Sequence, residues 1–410
     1  MILQQPVSLE SKSVSFTTAL PPLSLYIHIP WCVKKCPYCD FNSHEAKGGA
    51  APLKGAGGIA AGLEQQYIAA LTRDLEMALP QIWGRKVYTV FFGGGTPSLL
   101  SGAGVEEILR QVRMLLPLAG DAEITLEANP GTVEADKFAA FRDAGVNRLS
   151  MGIQSFNDAH LKALGRIHSA DEARAAIEIA QRHFDNINLD LMYGLPDQSL
   201  DQSLQDVLTA LEYKPQHLSA YHLTLEPNTL FYRNPPSLPG DDASADMQQG
   251  IEALLAANGY RHYETSAFAQ PDRRSRHNLN YWKFGDYLGI GAGAHSKISF
   301  PDKIIRQARY KQPQAYMQQV ALGAPIQTEN DVSRDELPFE FMMNALRLNE
   351  GFDSVLFNER TSLSLVAIQR ELLMAEKLGL LQRDITRIAP TQQGQRFLND
   401  LLELFLADTH

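Results

Sequence analysis

Between residues 23 and 258, short β-rich runs alternate six times with longer stretches of helical period, and few folds accommodate that rhythm. Strands are expected near 23–29, 87–93, 123–129, 148–155, 186–193 and 217–225. Helices are expected near 64–79, 102–116, 132–143, 170–183, 199–212 and 246–258. Six βα units in series define an α/β architecture with a parallel sheet. They suggest a barrel, complete or open, with its site at the C-terminal ends of the strands. Side chains alternate between the two faces of a strand. Leu25, Ile27 and Ile29 therefore share one face, with Tyr26 and His28 on the other. Ile124, Leu126 and Ala128 oppose Thr125, Glu127 and Asn129. Leu149, Met151 and Ile153 oppose Ser150, Gly152 and Gln154, and Leu189 and Leu191 oppose Asn188, Asp190 and Met192. The aliphatic sets face the helices, so the polar sets point inward. An interior carrying Glu127, Gln154 and Asp190 is costly to dehydrate without partners. Convergence from several strands favours a polar ligand.

All three cysteines fall within eight residues directly after the first strand, as Cys32-Val33-Lys34-Lys35-Cys36-Pro37-Tyr38-Cys39. An odd count cannot pair fully, and nothing suggests secretion, which argues against a disulfide. Thiols gathered in this way point to one soft metal centre. A four-iron cube takes one thiolate per iron. Three thiolates leave one iron open, as catalytic metal sites keep an open position. A structural Cys3His zinc site completed by His44 is the other reading of the same run.

The run follows Tyr26-Ile27-His28-Ile29-Pro30-Trp31, and together they resemble the signature of the radical S-adenosylmethionine (SAM) superfamily. More narrowly they resemble the oxygen-independent coproporphyrinogen III oxidase group, with its Y-x-H-I-P-[FW]-C opening. The resemblance covers roughly residues 23–300 and, more weakly, the C-terminal part. It implies an open, six-stranded partial TIM-type barrel, a [4Fe–4S] cluster on Cys32, Cys36 and Cys39, and SAM chelating the open iron. Phe91-Phe92-Gly93-Gly94-Gly95-Thr96-Pro97 ends the second strand and matches the superfamily's glycine motif, which contacts the methionine amino group. By the same resemblance Tyr26, Gly94, Gly95, Thr96, Glu127, Gln154, Arg166 and Asp190 fall on SAM-contacting positions. The chemistry it implies belongs to the cofactor: one electron breaks an S–C bond of SAM, giving methionine and a 5′-deoxyadenosyl radical.

Two features bear on the subgroup. The oxidase motif continues as C-x2-C-x-C, whereas here Cys39 is followed by Asp40-Phe41. Residues Arg276-His277-Asn278-Leu279-Asn280-Tyr281-Trp282 carry the pattern H-N-x-x-Y-W, which resembles the HemW haem-chaperone subgroup, whose members bind haem and pass it to acceptor proteins. Haem thus joins the expected cofactors, with His277 as its axial ligand. An aromatic pair from the motif would stack on the macrocycle, and Arg273, Arg274 and Arg276 would pair with propionates. The expected partners are haem, haem-acceptor proteins and an electron donor for the cluster. A coproporphyrinogen III oxidative decarboxylase and a zinc-stapled winged-helix regulator are the alternatives. Gly289-Ile290-Gly291-Ala292-Gly293-Ala294-His295 looks like a nucleotide fingerprint but lacks the βαβ context.

A net charge of −10 opposes general nucleic-acid binding. No apolar run reaches the length of a membrane span, although peripheral association with an acceptor needs no anchor. A reducing, cytoplasmic compartment is expected. Residues 1–22 fit neither a secretory signal nor a transit peptide and read as a flexible extension. Residues 46–62 are Gly/Ala-rich and read as a spacer. Residues 259–329 are expected to connect the barrel to a winged-helix-like C-terminal domain over 330–410. Its helices are expected at Phe339–Leu346, Leu365–Leu378 and Phe397–Leu406, with a β-wing from Gly379 to Thr391. Residues 334–410 hold 8 Lys and Arg against 12 Asp and Glu. That balance opposes phosphate binding and favours a docking or lid role.

The cluster assignment predicts that Cys32→Ser, Cys36→Ser and Cys39→Ser each abolish cluster assembly. Iron and acid-labile sulfide analysis after anaerobic reconstitution checks this, and full retention in all three variants would remove the assignment.

Overall fold

The structure, a computed structural model, describes residues 19–46, 58–132 and 135–406. Most of the expected N-terminal extension (1–18) and the middle of the Gly/Ala-rich spacer (47–57) lie outside the described residues.

The six expected strands are present and parallel: β1 Leu23–Ile29, β2 Val87–Gly94, β3 Leu118–Ala128, β4 Arg148–Gln154, β5 Ile187–Tyr193 and β6 His217–His222, paired in sequence order. Between and after them run α1 Ala61–Ile82, α2 Gly102–Leu115, α3 Ala135–Ala144, α4 Ala170–His183, α5 Leu200–Glu212 and α6 Asp241–Ala257. Local chemistry sets several starts. Ser169 with Glu172, and Ser199 with Gln202, form reciprocal capping boxes at α4 and α5. Ser101 caps α2 by accepting from the Gly104 amide, and is itself held by Glu64 of α1.

The division of faces holds. Leu25, Ile27, Ile29, Leu126, Leu149, Met151, Ile153 and Leu189 are buried in one core with Ile108, Leu109, Ile177 and Val207 of the helices. Each such side chain contributes about 1.5–3 kcal/mol on burial. The opposite faces line a cavity instead.

Residues 259–329 do more than connect, and here the expectation is corrected. They supply six further strands of the same sheet: β7 Arg261–Glu264, β8 Ala267–Ala269, β9 Asp286–Ile290, β10 His295–Ser299, β11 Ile304–Arg309 and β12 Ile326–Asp331. β9 lies parallel to β1, making the parallel run seven strands rather than six. β10, β11 and β12 extend that edge antiparallel, and β8 and β7 extend the edge beyond β6. β9 and β6 do not pair, so the barrel is open. These strands are short and largely joined by hairpin-length loops, without the helical spacing that marked the first six.

The edge is pinned to α1 by a buried pair. Arg309 meets Asp74 at 3.2 Å, and Asp74 also accepts from the Tyr316 hydroxyl at 2.9 Å. Tyr67 of α1 donates to the His28 carbonyl and accepts from the Ala292 amide, both at 2.8 Å. The Gly289–His295 stretch is thus a packed turn between α1 and β1.

The C-terminal unit has helices at Leu337–Ala345, Ser354–Thr361 and Gln369–Lys377, and a three-stranded sheet of Phe352–Asp353, Arg387–Pro390 and Leu381–Arg383. This is the expected helix–helix–wing order. The helix Ser354–Thr361 was not legible, being short and only weakly amphipathic, and the last helix breaks at Phe397 into two. The unit's core of Phe341, Phe357, Leu372 and Ile388 takes in Phe284 and Ile304 from the sheet side, which docks it there. Among the described residues no helix is long and apolar enough to cross a membrane.

Candidate radical SAM site

Two turns meet above the C-terminal ends of β1 and β2. The chain leaves β1 at Ile29, and the cysteine loop begins. The glycine turn leaves β2 beside it. Gly95 N–H donates to the Ile29 carbonyl at 2.7 Å, and Thr96 N–H donates to the Trp31 carbonyl at 2.8 Å. The glycines are needed for this approach. A Cβ at Gly95 would lie 2.6 Å from the Trp31 carbonyl oxygen, and one at Gly94, whose φ is +110°, would lie 2.5 Å from the His28 ring. The Gly95 and Thr96 amides clamp the cysteine loop, and the Gly94 amide donates to Glu127 Oε2 at 3.3 Å.

The three thiols are half-buried on this loop. The Thr96 hydroxyl donates to Cys32 Sγ at 3.4 Å, and Arg166 Nη1 stands 3.8 Å from Cys36 Sγ. Burial pushes the Cys32 and Cys39 thiols up. No three His, Cys, Asp or Glu side chains among the described residues converge as they would around a single ion. The imidazole proposed to complete a zinc site, His44, turns its Nε2 to Asn42 Oδ1 at 3.3 Å and the Lys311 carbonyl at 3.2 Å. Three thiols on one loop facing a cavity, with the His44 Nε2 engaged elsewhere, are the donor set that a four-iron cluster with one open iron takes.

Cys36 and Cys39 look into a cavity of about 670 Å³ that runs down the inside of the barrel. It brings together Tyr26, Gly94, Gly95, Thr96, Glu127, Gln154, Arg166 and Asp190, all eight residues expected at SAM. Arg166 Nη2 donates to Asn129 Oδ1 at 2.6 Å and to the Gly152 carbonyl at 2.8 Å, while its Nε has no partner. Gln154 sits at φ +68°, where β4 loses register against β5, so the strand's end turns across the cavity mouth. Asp190 is held by Ser150 at 3.0 Å and Asn188 at 2.7 Å. Burial, and then the Asp190 carboxylate, push Glu127 up to about 8. A buried acid that resists ionisation beside a second acid suits a cationic ligand, whose charge would restore the carboxylate.

The H-N-x-x-Y-W stretch forms a short helix, α7 Arg276–Trp282, across the inner end of the barrel. Glu123 of β3 accepts from the Arg276 and His277 amides at 3.2 and 3.1 Å. His277 is 1% exposed and stacks near Phe91 at 4.9 Å. Thr89 gives its proton to Ser24, so it accepts from His277 Nδ1 at 2.7 Å. That leaves the Nε2 lone pair, to which the Tyr281 hydroxyl donates at 3.0 Å. Burial lowers the imidazole to about 3, so it is neutral. The three arginines expected at propionates are elsewhere. Arg274 pairs with Glu350, Arg276 pairs with Asp121, and Arg273 stands with them outside the barrel cavity. The cavity is instead lined by Arg148 and Arg347. Arg148 was legible, since it shares the inward face of β4 with Ser150 and Gly152. Arg347 belongs to the C-terminal unit, and no local pattern announces it.

A parallel βα barrel with three cysteines after its first strand, a glycine turn after its second and a polar interior defines a radical SAM protein. A model of the radical SAM superfamily matches residues 26–208, and one of the HemN C-terminal domain matches residues 332–397. The heme chaperone HemW of Escherichia coli K12 is 50% identical over 391 residues, covering 95% of this chain and 99% of that protein. HemW of Haemophilus influenzae is 45% identical over 395 residues, with the same coverage, and that of Bacillus subtilis is 33% identical over 394. Among solved structures, the E. coli coproporphyrinogen III oxidase HemN, titled a radical SAM enzyme, superposes with a TM-score of 0.77 at 25% identity, covering 98% of both chains. The chain belongs to the HemW family of the radical SAM superfamily.

Glu127 supplies a pH test on the ligand-free protein. Its folded value lies above the ordinary 4.5, so between about 4.5 and about 8 the folded chain holds a proton that the unfolded chain has released. Stability then falls as pH rises across that window, by an amount on the order of a few kcal/mol. Glu127→Gln should flatten the fall, measured as the urea midpoint at about pH 5 and about pH 8. Equal falls in both proteins would exclude Glu127 as the titrating group.

Proposed function

We propose that this protein is a cytoplasmic haem chaperone that carries a [4Fe–4S] cluster on Cys32, Cys36 and Cys39, binds SAM, and hands haem to acceptor proteins. The observation that carries the reading is identity of 50% to a heme chaperone over almost the whole of both chains. The cofactor set follows from the superfamily. Its cluster would take the three thiols of the clamped loop, and its SAM would take the cationic-ligand site of Glu127 and Asp190 beneath. When bound, that pair supplies one-electron chemistry. The cluster also needs an electron donor. In this protein's own structure, Glu127 and Asp190 offer carboxylates, Arg166 orients Asn129 and the Gly152 carbonyl, and the glycine turn fixes the loop.

His277 is the proposed axial ligand of the haem. Thr89 holds its Nδ1 proton, which fixes the tautomer with a lone pair on Nε2, the arrangement a metal-binding imidazole needs. Haem ligation would replace the hydrogen bond that the Tyr281 hydroxyl now makes to Nε2. The coproporphyrinogen III oxidase reading has one observation in its favour, the close superposition on HemN. Against it stands Asp40-Phe41, where that enzyme's motif has a further cysteine.

The test is an anaerobic haem titration of cluster-reconstituted protein, with coproporphyrinogen III turnover assayed on the same sample. Stoichiometric haem binding without turnover is expected, and His277→Ala should weaken that binding at least tenfold with the iron and sulfide content unchanged. Decarboxylation without haem retention would replace the chaperone reading with the enzyme. Unchanged haem spectra and affinity in His277→Ala would exclude that ligand.

A further inference from the structure

The inner end of the barrel cavity holds a cation with nothing to bind. Arg148 begins β4, is 2% exposed and lines the cavity. Its Nε has no partner, and no hydrogen bond or ion pair holds its guanidinium among the described residues. Burying a charge without a contact partner is costly, and natural cores avoid it unless something else completes the site. Glu127 and Asp190 share the cavity and feel the arginine's charge, but neither is in contact with it. Two more buried donors in the same cavity lack partners, Trp282 Nε1 and Arg347 Nε. They belong together, because the Arg347 guanidinium carbon lies 4.3 Å from the centre of the Trp282 ring. Glu264 Oε2 stands 3.6 Å from Arg347 Nη2, an ion pair too long for a hydrogen bond, and the Arg347 Nε stays free.

Arg148, Trp282 and Arg347 each leave an N–H donor free, so the group that would satisfy them is an acceptor. A guanidinium and an indole N–H select a planar anion, and a carboxylate is the one that suits both. A SAM chelating the cluster would keep its carboxylate away from this place. It belongs beside the cluster, at the C-terminal end of the strands where Arg166 meets the Gly152 carbonyl. Arg148 lies four residues below Gly152, roughly 13 Å down the strand. Tyr26 and Phe91, which share the register of Arg148 across the sheet, line the same cavity with Tyr281 and offer flat, largely apolar faces for a macrocycle.

We propose that Arg148, with Trp282 and Arg347, forms a carboxylate subsite that receives the acidic side chains of a tetrapyrrole entering the barrel. The proposal rests on the haem reading above and deepens it. It gives the C-terminal unit a part in ligand binding, because Arg347 is delivered from that unit. The same subsite chemistry fits the propionates of haem and those of coproporphyrinogen III.

The experiment compares ligands that differ only at the carboxylates. Cluster-reconstituted protein is titrated anaerobically with haem and with haem dimethyl ester, and in competition with coproporphyrinogen III. The wild type should bind haem at least tenfold more tightly than the ester. Arg148→Gln should lose most of that margin, and Arg148→Lys should restore part of it. Iron and sulfide content monitors folding of the variants, and the wild-type comparison needs no variant at all. Equal affinity for haem and its ester would overturn the subsite and leave the haem reading standing. Failure of both to bind would overturn the haem reading and the subsite with it, unless coproporphyrinogen III binds and depends on Arg148. That result would keep the subsite and assign it to the oxidase substrate. An Arg148→Gln variant that loses SAM affinity while keeping the haem-to-ester margin would also overturn it.

Discussion

Two backbone hydrogen bonds, Gly95 to Ile29 and Thr96 to Trp31, set the position of everything the site contains. They tie the start of the cysteine loop to the turn that ends the neighbouring strand. The loop has little regular structure of its own. A two-residue ladder pairs Trp31–Cys32 with His44–Glu45, and a turn closes from the Cys39 amide to the Cys36 carbonyl. Beyond these, side chains hold the loop, with Asn42 donating to the Ala292 and Lys311 carbonyls at 2.9 Å. With the clamp, Trp31 seats edge-on against Tyr67 of α1 at 4.7 Å, and the loop's base becomes part of the main core. The cost is paid in side chains, since neither glycine has room for a Cβ.

Below the clamp the barrel is arranged by level. Near the strand ends stand the thiols, Arg166 and Glu127. In the middle Asp190, Asn188, Ser150 and Ser219 bond to one another, and His217 continues the chain from Asn188 to Tyr263 at 2.6 and 2.9 Å. At the inner end α7 closes the floor, fastened by Glu123 and by Asn280, which donates to Ser24 and to the Asp286 carbonyl. The stacking of a cation-receptive level above an anion-receptive one follows from which residues head each strand. A satisfied network can be rigid. In the cavity, Arg148 Nε, Trp282 Nε1 and Arg347 Nε remain outside that network.

Much of this was legible. Period-two alternation alone separated Leu149, Met151 and Ile153 from Ser150, Gly152 and Gln154, because a strand covered by helices on one side must show its other face to the barrel. The cysteine loop was legible from spacing, and from resemblance the eight residues that the cavity brings together. The glycine turn's second task, clamping the cysteine loop, was not legible, because a sequence shows that backbone can come close but not what it comes close to. The strands of residues 259–329 were missed because hairpin strands at a sheet edge lack crossover helices. The arginines beside the H-N-x-x-Y-W motif were placed at the ligand by proximity in sequence. A helical turn separates them from it, and Arg347, some seventy residues on, occupies the cavity instead.

The central claim is that three thiolates hold a four-iron cluster whose remaining iron is open to SAM. The most direct measurement is Mössbauer spectroscopy of protein reconstituted with ⁵⁷Fe, recorded with and without SAM. The account predicts that about one iron in four changes its isomer shift and quadrupole splitting on SAM addition, as expected when a single site gains nitrogen and oxygen ligands. Spectra that do not respond to SAM, or a chain that takes up one zinc in place of iron, would contradict it.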